Sequence, residues 1–181
     1  MGHMVFSKEL QFNKPPRLHL ALHGRTKIEQ FAAVSESKQN LLDKLSRKKI
    51  HISYDAKYMI KSSDFASVFD FKQINLVCVS TNDLGLTVPS TTRLLHEARE
   101  LGLDTCPLEV VLAYRLQYAS QLRGEEIIMG IEPINNEHGD PCFLTLYRDF
   151  YGTFGLGSHS AKPDDRFGSD KKLIFVANKS F

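Results

Sequence analysis

The chain has 181 residues, of which 42% are hydrophobic and 24% are charged, as in an ordinary globular protein with room for one core. Its net charge of +2 is far below that of domains that bind nucleic acid through charge alone. The longest apolar runs, such as residues 127–131, are too short to cross a bilayer. The three cysteines form no CxxC pair, so neither a disulfide framework nor a zinc site is indicated. We therefore expect a soluble, cytoplasmic protein that has no association with membranes.

The first residues of the chain show little of the apolar periodicity that is typical of a folded core. Residues 1–16 are interpreted as a cloning remnant and an extended arm, because they open with Met-Gly-His-Met and end with two prolines. Residues 17–23 suit either a strand, through alternating leucines, or a helix that stops at a glycine. From there to the end, residues 17–181 are predicted to form a single domain.

Hydroxyl side chains mark the starts of three predicted helices in the first third of the chain. Thr26 with Glu29 forms a capping-box pattern, and apolar residues follow at helical spacing. A second helix begins at Ser35 or Ser37, and a third follows Ser53. Their apolar residues are Ile28, Phe31 and Ala32 in the first, Leu41, Leu42 and Leu45 in the second, and Tyr54, Tyr58 and Met59 in the third.

The pattern then changes to a strand followed by a central pair of helices. Residues 73–80 are apolar and rich in β-branched side chains, which predicts a buried strand. Ser90 opens a helix that Gly102 ends. Cys106 is predicted at the cap of the next helix, with Pro107 in its first turn.

The remainder is predicted to consist mostly of antiparallel strands. Segments 126–133 and 142–148 flank a turn that contains glycine and asparagine, and they form a hairpin. Residues 151–157 are a weak third strand, 158–170 a polar loop, and 172–177 a final strand. The predicted fold class is α+β, with N-terminal helices and a central helix pair packed on a mainly antiparallel sheet of about four or five strands.

Charge is divided unevenly along the chain. Residues 1–62 contain 12 Lys and Arg against 5 Asp and Glu, whereas residues 63–181 contain 11 against 16. A basic helical part, residues 17–62, thus precedes an acidic part of helices and sheet. Such a division indicates an acidic or nucleic-acid partner, or attraction between the two parts of one domain, and the second explanation is the plainer one.

The basic helices are the first candidate binding site. Their cations would neutralise phosphates, and Tyr54 and Tyr58 would add stacking to a nucleic-acid interface. The alternative is a solvated helix face. The cations are Lys38, Lys44, Arg47, Lys48, Lys49, Lys57 and Lys61. The main binding candidates among them are Lys44, Arg47, Lys48 and Lys49.

Arg115 and Tyr118 form a second candidate binding site, where the central helices end and the sheet begins. An arginine at such a junction can hold a carboxylate or a phosphate through two parallel hydrogen bonds. The alternative is a structural arginine that pairs with Glu109 or Glu132.

Cys106 is the candidate nucleophile. A thiol at a helix N-terminus feels the helix dipole, which favours the reactive thiolate. His96 or His138 would act as the base, with Asp104 or Asp140 orienting the imidazole ring. The alternative is a buried packing cysteine, since no cysteine-protease signature is present.

Two further patterns do not indicate a site. His19 and His23 lie one helical turn apart but lack a third metal ligand nearby. Gly152, Gly155 and Gly157 do not have the spacing of a phosphate-binding loop and instead predict a twisted or bulged strand. We therefore predict no metal site and no cofactor.

The sequence favours a binding protein over an enzyme. We predict a small soluble binding or regulatory protein that acts on a protein or nucleic acid through its basic helical face or its sheet surface. One alternative is an enzyme, such as a hydrolase, with a site at the helix-to-sheet junction near Cys106, Arg115 and His138. Another is a nucleic-acid-binding module that uses the basic N-terminal helices.

Overall fold

The fold consists of four helices and one nine-stranded sheet in the described part of the chain. The computed structural model describes residues 27–31, 36–63 and 74–177, the first of these through its backbone only. The helices are α1 (Lys38–Arg47), α2 (Tyr54–Ser62), α3 (Thr91–Glu100) and α4 (Leu108–Gln117). The strands are β1 (Lys27–Phe31), β2 (His51–Ile52), β3 (Ile74–Ser80), β4 (Leu103–Asp104), β5 (Glu126–Met129), β6 (Ile134–Asn135), β7 (Pro141–Arg148), β8 (Phe154–Ser160) and β9 (Lys172–Ala177).

The last described strand in sequence, β9, lies in the interior of the sheet, between β3 and β5. The strand order is β1-β3-β9-β5-β7-β8-β2, with β4 also paired to β9 and β6 to β7. The pairs β5–β9 and β2–β8 are parallel, and the other pairs are antiparallel. The α+β class and the mainly antiparallel sheet are thus confirmed. The predicted four or five strands are too few, because β1 and three two-residue strands were not predicted.

Serine caps begin three of the four described helices, as the sequence predicts. Ser37, Ser53 and Ser90 each accept a hydrogen bond from the backbone N–H three residues further on. The cap of α4 is Pro107, which makes no side-chain hydrogen bond, so Cys106 lies one residue before the cap and not at it. The backbone N–H of Cys106 instead donates to the Gly130 carbonyl at 2.7 Å, which ties this residue to the sheet.

The segment predicted as the first helix is instead a strand. Lys27–Phe31 pairs with β3 in antiparallel register over 5 residues. The Thr26–Glu29 pattern describes local bonding only, and pairing with a buried strand outweighs such a local preference. Residues 1–26, which include the predicted arm and the ambiguous segment 17–23, lie outside the described ranges.

One hydrophobic cluster joins the helices to the sheet. Helix α1 packs against α4, and α2 packs against β8. Leu45 from the basic part and Leu112 from the acidic part are both fully buried in this cluster. Its largest fully buried side chains include Phe143, Phe167 and Phe175. Among the residues with described structure, no helix has both the length and the apolar character needed to span a membrane.

Candidate functional site

A groove opens between α1, β2 and α2. Its volume is about 740 Å³, within the range of ligand-binding clefts, and two other cavities in the described structure measure about 250 and 410 Å³. The lining residues are Lys38, Gln39, Leu42 and Ser46 of α1, Ile50, His51 and Ile52 at β2, and Lys57, Ile60 and Lys61 of α2. We call this feature the α1–α2 groove.

Helical periodicity places these side chains. In α1, Leu41 and Leu45 are buried, so Leu42, one position further round the helix, lies half-buried at the margin of the core. In α2 the buried face leaves Lys57 and Lys61, which are four residues apart, exposed on one flank. The two helices thus give the groove an apolar floor and a cationic rim.

The rim of the groove has no acidic residue among its described lining residues. Lys57 and Lys61 are exposed, and neither forms an ion pair with another described residue. Lys38 has a different position, because its Nζ donates to the carbonyls of Ser63 and, at 3.0 Å, Ile60 at the end of α2. The groove therefore presents positive potential to an approaching ligand.

His51 and Tyr147 form a pair beside the floor of the groove. The Tyr147 hydroxyl and His51 Nδ1 share a hydrogen bond, and the ring centres are 6.3 Å apart. The Tyr147 ring lies over Gly155 of β8, where a Cβ atom would come within 2.2 Å of the ring. Burial raises the pKa of Tyr147 above its ordinary value, so the hydroxyl remains a hydrogen-bond donor. Gly155 thus gives Tyr147 the space to reach across β8 to His51.

Known proteins offer no guide to this groove. No protein family, curated protein or solved structure matches this chain. The chemistry of the groove must then be judged from its own residues. An aliphatic floor beneath lysine side chains suits a ligand that carries both apolar groups and carboxylates.

The four cations predicted to bind lie outside the lining of the groove. Lys44 forms an ion pair with Glu36 at 2.6 Å, and Lys48 donates to a backbone carbonyl of α4 at 3.0 Å. Arg47 and Lys49 are exposed. Three of the four, Lys49 being the exception, line a smaller cavity between α1 and α4. The structure therefore places the predicted set on another face of the same basic region.

The predicted attraction between the basic and acidic parts does not take the form of ion pairs in the residues described. Each Lys or Arg pair stays within one part. The pairs are Lys44–Glu36 in the basic part, and Arg99–Glu132, Lys162–Asp140, Lys171–Glu126 and Lys172–Glu125 in the acidic part. Apolar packing and hydrogen bonds join the parts instead, such as the 2.7 Å bond from the Tyr54 hydroxyl to Glu137. None of these described ion pairs uses the rim cations Lys57 and Lys61.

Arg115 belongs to a buried network beneath the turn between β7 and β8. It is only 2% exposed, and its Nη1 donates to Gln121 Oε1 at 2.5 Å while Nη2 donates to the Tyr118 carbonyl. The guanidinium groups of Arg115 and Arg148 each lie 4.7 Å from the ring centre of Phe154. Burial lowers the pKa of Arg115 to about 10, which leaves it charged at neutral pH.

This network does not support the predicted anion clamp. Arg115 forms no ion pair with a carboxylate of the described residues, and the predicted partner Glu132 pairs with Arg99 at 2.6 Å. The Tyr118 ring stacks on Tyr114 with 5.1 Å between ring centres. The observed contacts indicate a structural role for Arg115, through partners that differ from the predicted carboxylates.

Cys106 lies in the core. It is 4% exposed, its Sγ donates to the Ile174 carbonyl at 3.5 Å, and burial raises its pKa, which disfavours the thiolate. His96 is exposed on α3, and His138 is exposed with its Nε2 3.5 Å from Glu137. No hydrogen bond joins the thiol to either histidine within the described ranges. These positions do not support the cysteine-enzyme interpretation.

We expect Cys106 to resist alkylation in the folded protein, because iodoacetamide reacts with exposed thiolates. Peptide mass spectrometry over time should show Cys106 alkylated only on the timescale of unfolding, whereas it reacts at once in guanidinium chloride. Rapid alkylation in the folded state, slowed by His138→Ala, would contradict this placement and restore the enzyme interpretation.

Two features remain to be set beside the sequence predictions. One is the set of possible metal ligands among the described residues, and the other is the part of the groove lining contributed by β2. The described residues contain no group of three or more His, Cys, Asp and Glu side chains that could hold a metal ion. Ile50, His51 and Ile52 line the groove but were not predicted as site residues. The one signal in the sequence was an apolar-polar-apolar triplet between two helices, which is too short to indicate a strand by periodicity.

Proposed function

We propose that this protein binds an acidic, partly apolar segment of a partner protein in the α1–α2 groove. The observation that supports this proposal is the lining, which combines aliphatic side chains and lysines without an acidic residue among those described. Carboxylates of such a segment would approach the exposed Lys57 and Lys61, while its aliphatic side chains cover the floor.

The floor favours a peptide over a nucleic acid. Its apolar side chains are Leu42, Ile50, Ile52 and Ile60. None of them is aromatic, whereas single-stranded nucleic acids bind by stacking their bases on aromatic rings. Tyr54, predicted to stack on bases, is hydrogen-bonded to Glu137 and lies outside the described lining. Apart from the His51 imidazole, which is hydrogen-bonded to Tyr147, the described lining of the groove offers cations but no aromatic ring for stacking.

Fluorescence anisotropy with a labelled peptide of alternating Glu and Leu residues tests the proposal. We expect the parent protein to bind this peptide, and the double variant Lys57→Glu with Lys61→Glu to bind about tenfold more weakly, because two attractive contacts become repulsive. Leu42→Gln should also weaken binding through the floor. A peptide in which Lys replaces Glu should not bind.

The matched control is the double variant Arg47→Glu with Lys49→Glu. It makes the same change in net charge on exposed residues outside the described lining, and its affinity should stay close to that of the parent. Equal losses in both double variants would mean that only overall charge matters and would contradict a groove site. Tighter binding of an oligothymidylate than of the peptide would support the nucleic-acid alternative instead.

One segment of the chain has a composition like that of the proposed ligand, so the binding experiment includes one further variant. Residues 64–71 lie outside the described ranges and combine two aspartates with three phenylalanines, so they share the chemistry of the proposed ligand. The parent and a variant with these phenylalanines changed to serine are therefore titrated side by side. Absence of binding in both contradicts the proposal, and binding by the variant alone would assign the groove to the protein's own segment.

A further inference from the structure

Strand β2 is one of the two end strands of the described sheet, and β1 is the other. Strand β2 pairs with β8 in parallel register, His51 with Gly155 and Ile52 with Leu156. In the residues with described structure, no strand pairs with its other edge. Such an edge presents backbone N–H and C=O groups that can pair with a further strand.

The α1–α2 groove runs along this open edge. Three consecutive residues, Ile50, His51 and Ile52, all line it. Successive side chains of a strand point to opposite faces of the sheet, so a cavity that contacts all three residues lies beside the edge of the strand and not on one face. The walls of the groove are then α1 on one side and α2 on the other.

The backbone groups of Ile52 point into the groove. The N–H of Ser53 donates to the Leu156 carbonyl at 2.9 Å, which directs this residue toward β8. Because adjacent residues of a strand direct their peptide groups to opposite sides, the N–H and C=O of Ile52 point away from β8. Ile50 has the same orientation, and its N–H donates to the Leu45 carbonyl at 3.0 Å. The Ile50 carbonyl and the Ile52 N–H therefore form a donor and acceptor pair on the open edge.

Lys57 and Lys61 on the rim influence which kind of strand can pair with the open edge of β2. Lys57 and Lys61 are exposed beside it, and charged side chains at a sheet edge discourage pairing with strands that lack the opposite charge. A strand with carboxylates on one side and aliphatic side chains on the other would satisfy the rim and the floor together.

We propose that the partner segment binds in extended conformation and adds a strand to the open edge of β2. This inference rests on the proposed function of the groove and specifies the conformation of its ligand. Main-chain hydrogen bonds to the Ile50 carbonyl and the Ile52 N–H fix the segment, and its alternating side chains reach the floor and the lysines.

N-methylation of the peptide tests this strand addition. One version of the alternating Glu-Leu peptide is methylated at the Leu nitrogens and the other at the Glu nitrogens. Because a bound strand directs only alternate N–H groups to β2, we expect one version to lose at least fivefold in affinity and the other to stay near the parent peptide. A peptide of the same composition with Leu at helical spacing should bind more weakly than the alternating one.

A matched pair of variants tests the same main-chain contact by changing the protein instead of the peptide. Ile52→Pro removes the N–H on the open edge, a position where proline is compatible with an edge strand, and Ile52→Ala shortens the side chain but keeps the N–H. We expect Ile52→Pro to bind about fivefold more weakly than Ile52→Ala. Circular dichroism establishes that both are folded, and the peptide series decides the question if the proline variant is not.

The outcomes separate the two proposals. If neither peptide version nor the unmethylated peptide binds, the groove function itself fails. If the unmethylated peptide binds through Lys57 and Lys61 but both methylated versions bind equally well, strand addition is overturned and the groove function stands. Tighter binding of the peptide with helical spacing would overturn strand addition as well.

Discussion

Replacing Gly130 with alanine is expected to lower the free energy of unfolding by about 3 kcal/mol, because the added methyl group overpacks the core. An alanine Cβ at this position would lie 2.2 Å from the ring of Phe175, which is fully buried. The backbone around Gly130 has little freedom to move, since its N–H donates to the Ile174 carbonyl at 2.8 Å and its carbonyl accepts from Cys106 at 2.7 Å. Urea unfolding followed by circular dichroism measures the loss.

A second substitution shows whether the clash causes this loss. Phe175→Leu removes the ring, so the double variant with Gly130→Ala should be more stable than the sum of the two single effects predicts. Gly168→Ala is the matched control, because its Cβ would meet only the side-chain oxygen of Asp170, at 3.2 Å. Additive losses in the double variant would contradict the packing explanation.

Arg115→Ala is expected to destabilise the fold by a similar amount, about 3 kcal/mol, through lost packing and unpaired buried groups. The substitution leaves Gln121 Oε1 and the Tyr118 carbonyl without their guanidinium donor and uncovers one side of the Phe154 ring. Gln121 is itself fully buried, so water does not readily replace the lost hydrogen bond. Thermal and urea unfolding measure the change.

The lowered pKa of Arg115 shows whether its charge stabilises or destabilises the folded protein. Burial lowers its pKa to about 10, below the value of an exposed arginine, so folding disfavours the charged form. The resulting cost is fully present at neutral pH and is relieved as pH rises through 10. Arg115→Ala and Arg115→Met both remove this cost, but methionine keeps much of the side-chain volume, so Arg115→Met should destabilise less than Arg115→Ala. A fully stable Arg115→Ala variant would contradict the structural role and return Arg115 to the anion clamp.

The elements that the sequence predicts well are those whose signals are local. Ser37, Ser53 and Ser90 cap helices because the caps depend on residues only three positions away. The final predicted strand, Lys172–Ala177, contains an uninterrupted apolar run at residues 173–177, between polar segments. Strand β1 was predicted as a helix because its structure depends on β3, which is distant in sequence.

Prediction of the candidate site from the sequence would have required knowing which helices and strands are neighbours in the fold. The basic composition of α1 and α2 indicated the region that contains the groove, but Lys44 and Lys48 contact other parts of the protein while Lys57 and Lys61 line the groove. Periodicity could not assign β2, which has only 2 residues. Arg115 was predicted to hold an anion or to pair with a carboxylate, whereas its described partners are an amide and a carbonyl that folding alone brings together.

The interior position of β9 has a consequence for biosynthesis. Strands β3 and β5 are made early but have β9 between them, so neither gains that partner until residues 172–177 have left the ribosome. Contacts between segments so distant in sequence form slowly, and apolar strands that wait for a partner are prone to aggregate. The nascent chain should therefore depend on chaperones until β9 inserts, and a chain arrested just before Lys172 should accumulate in the insoluble fraction.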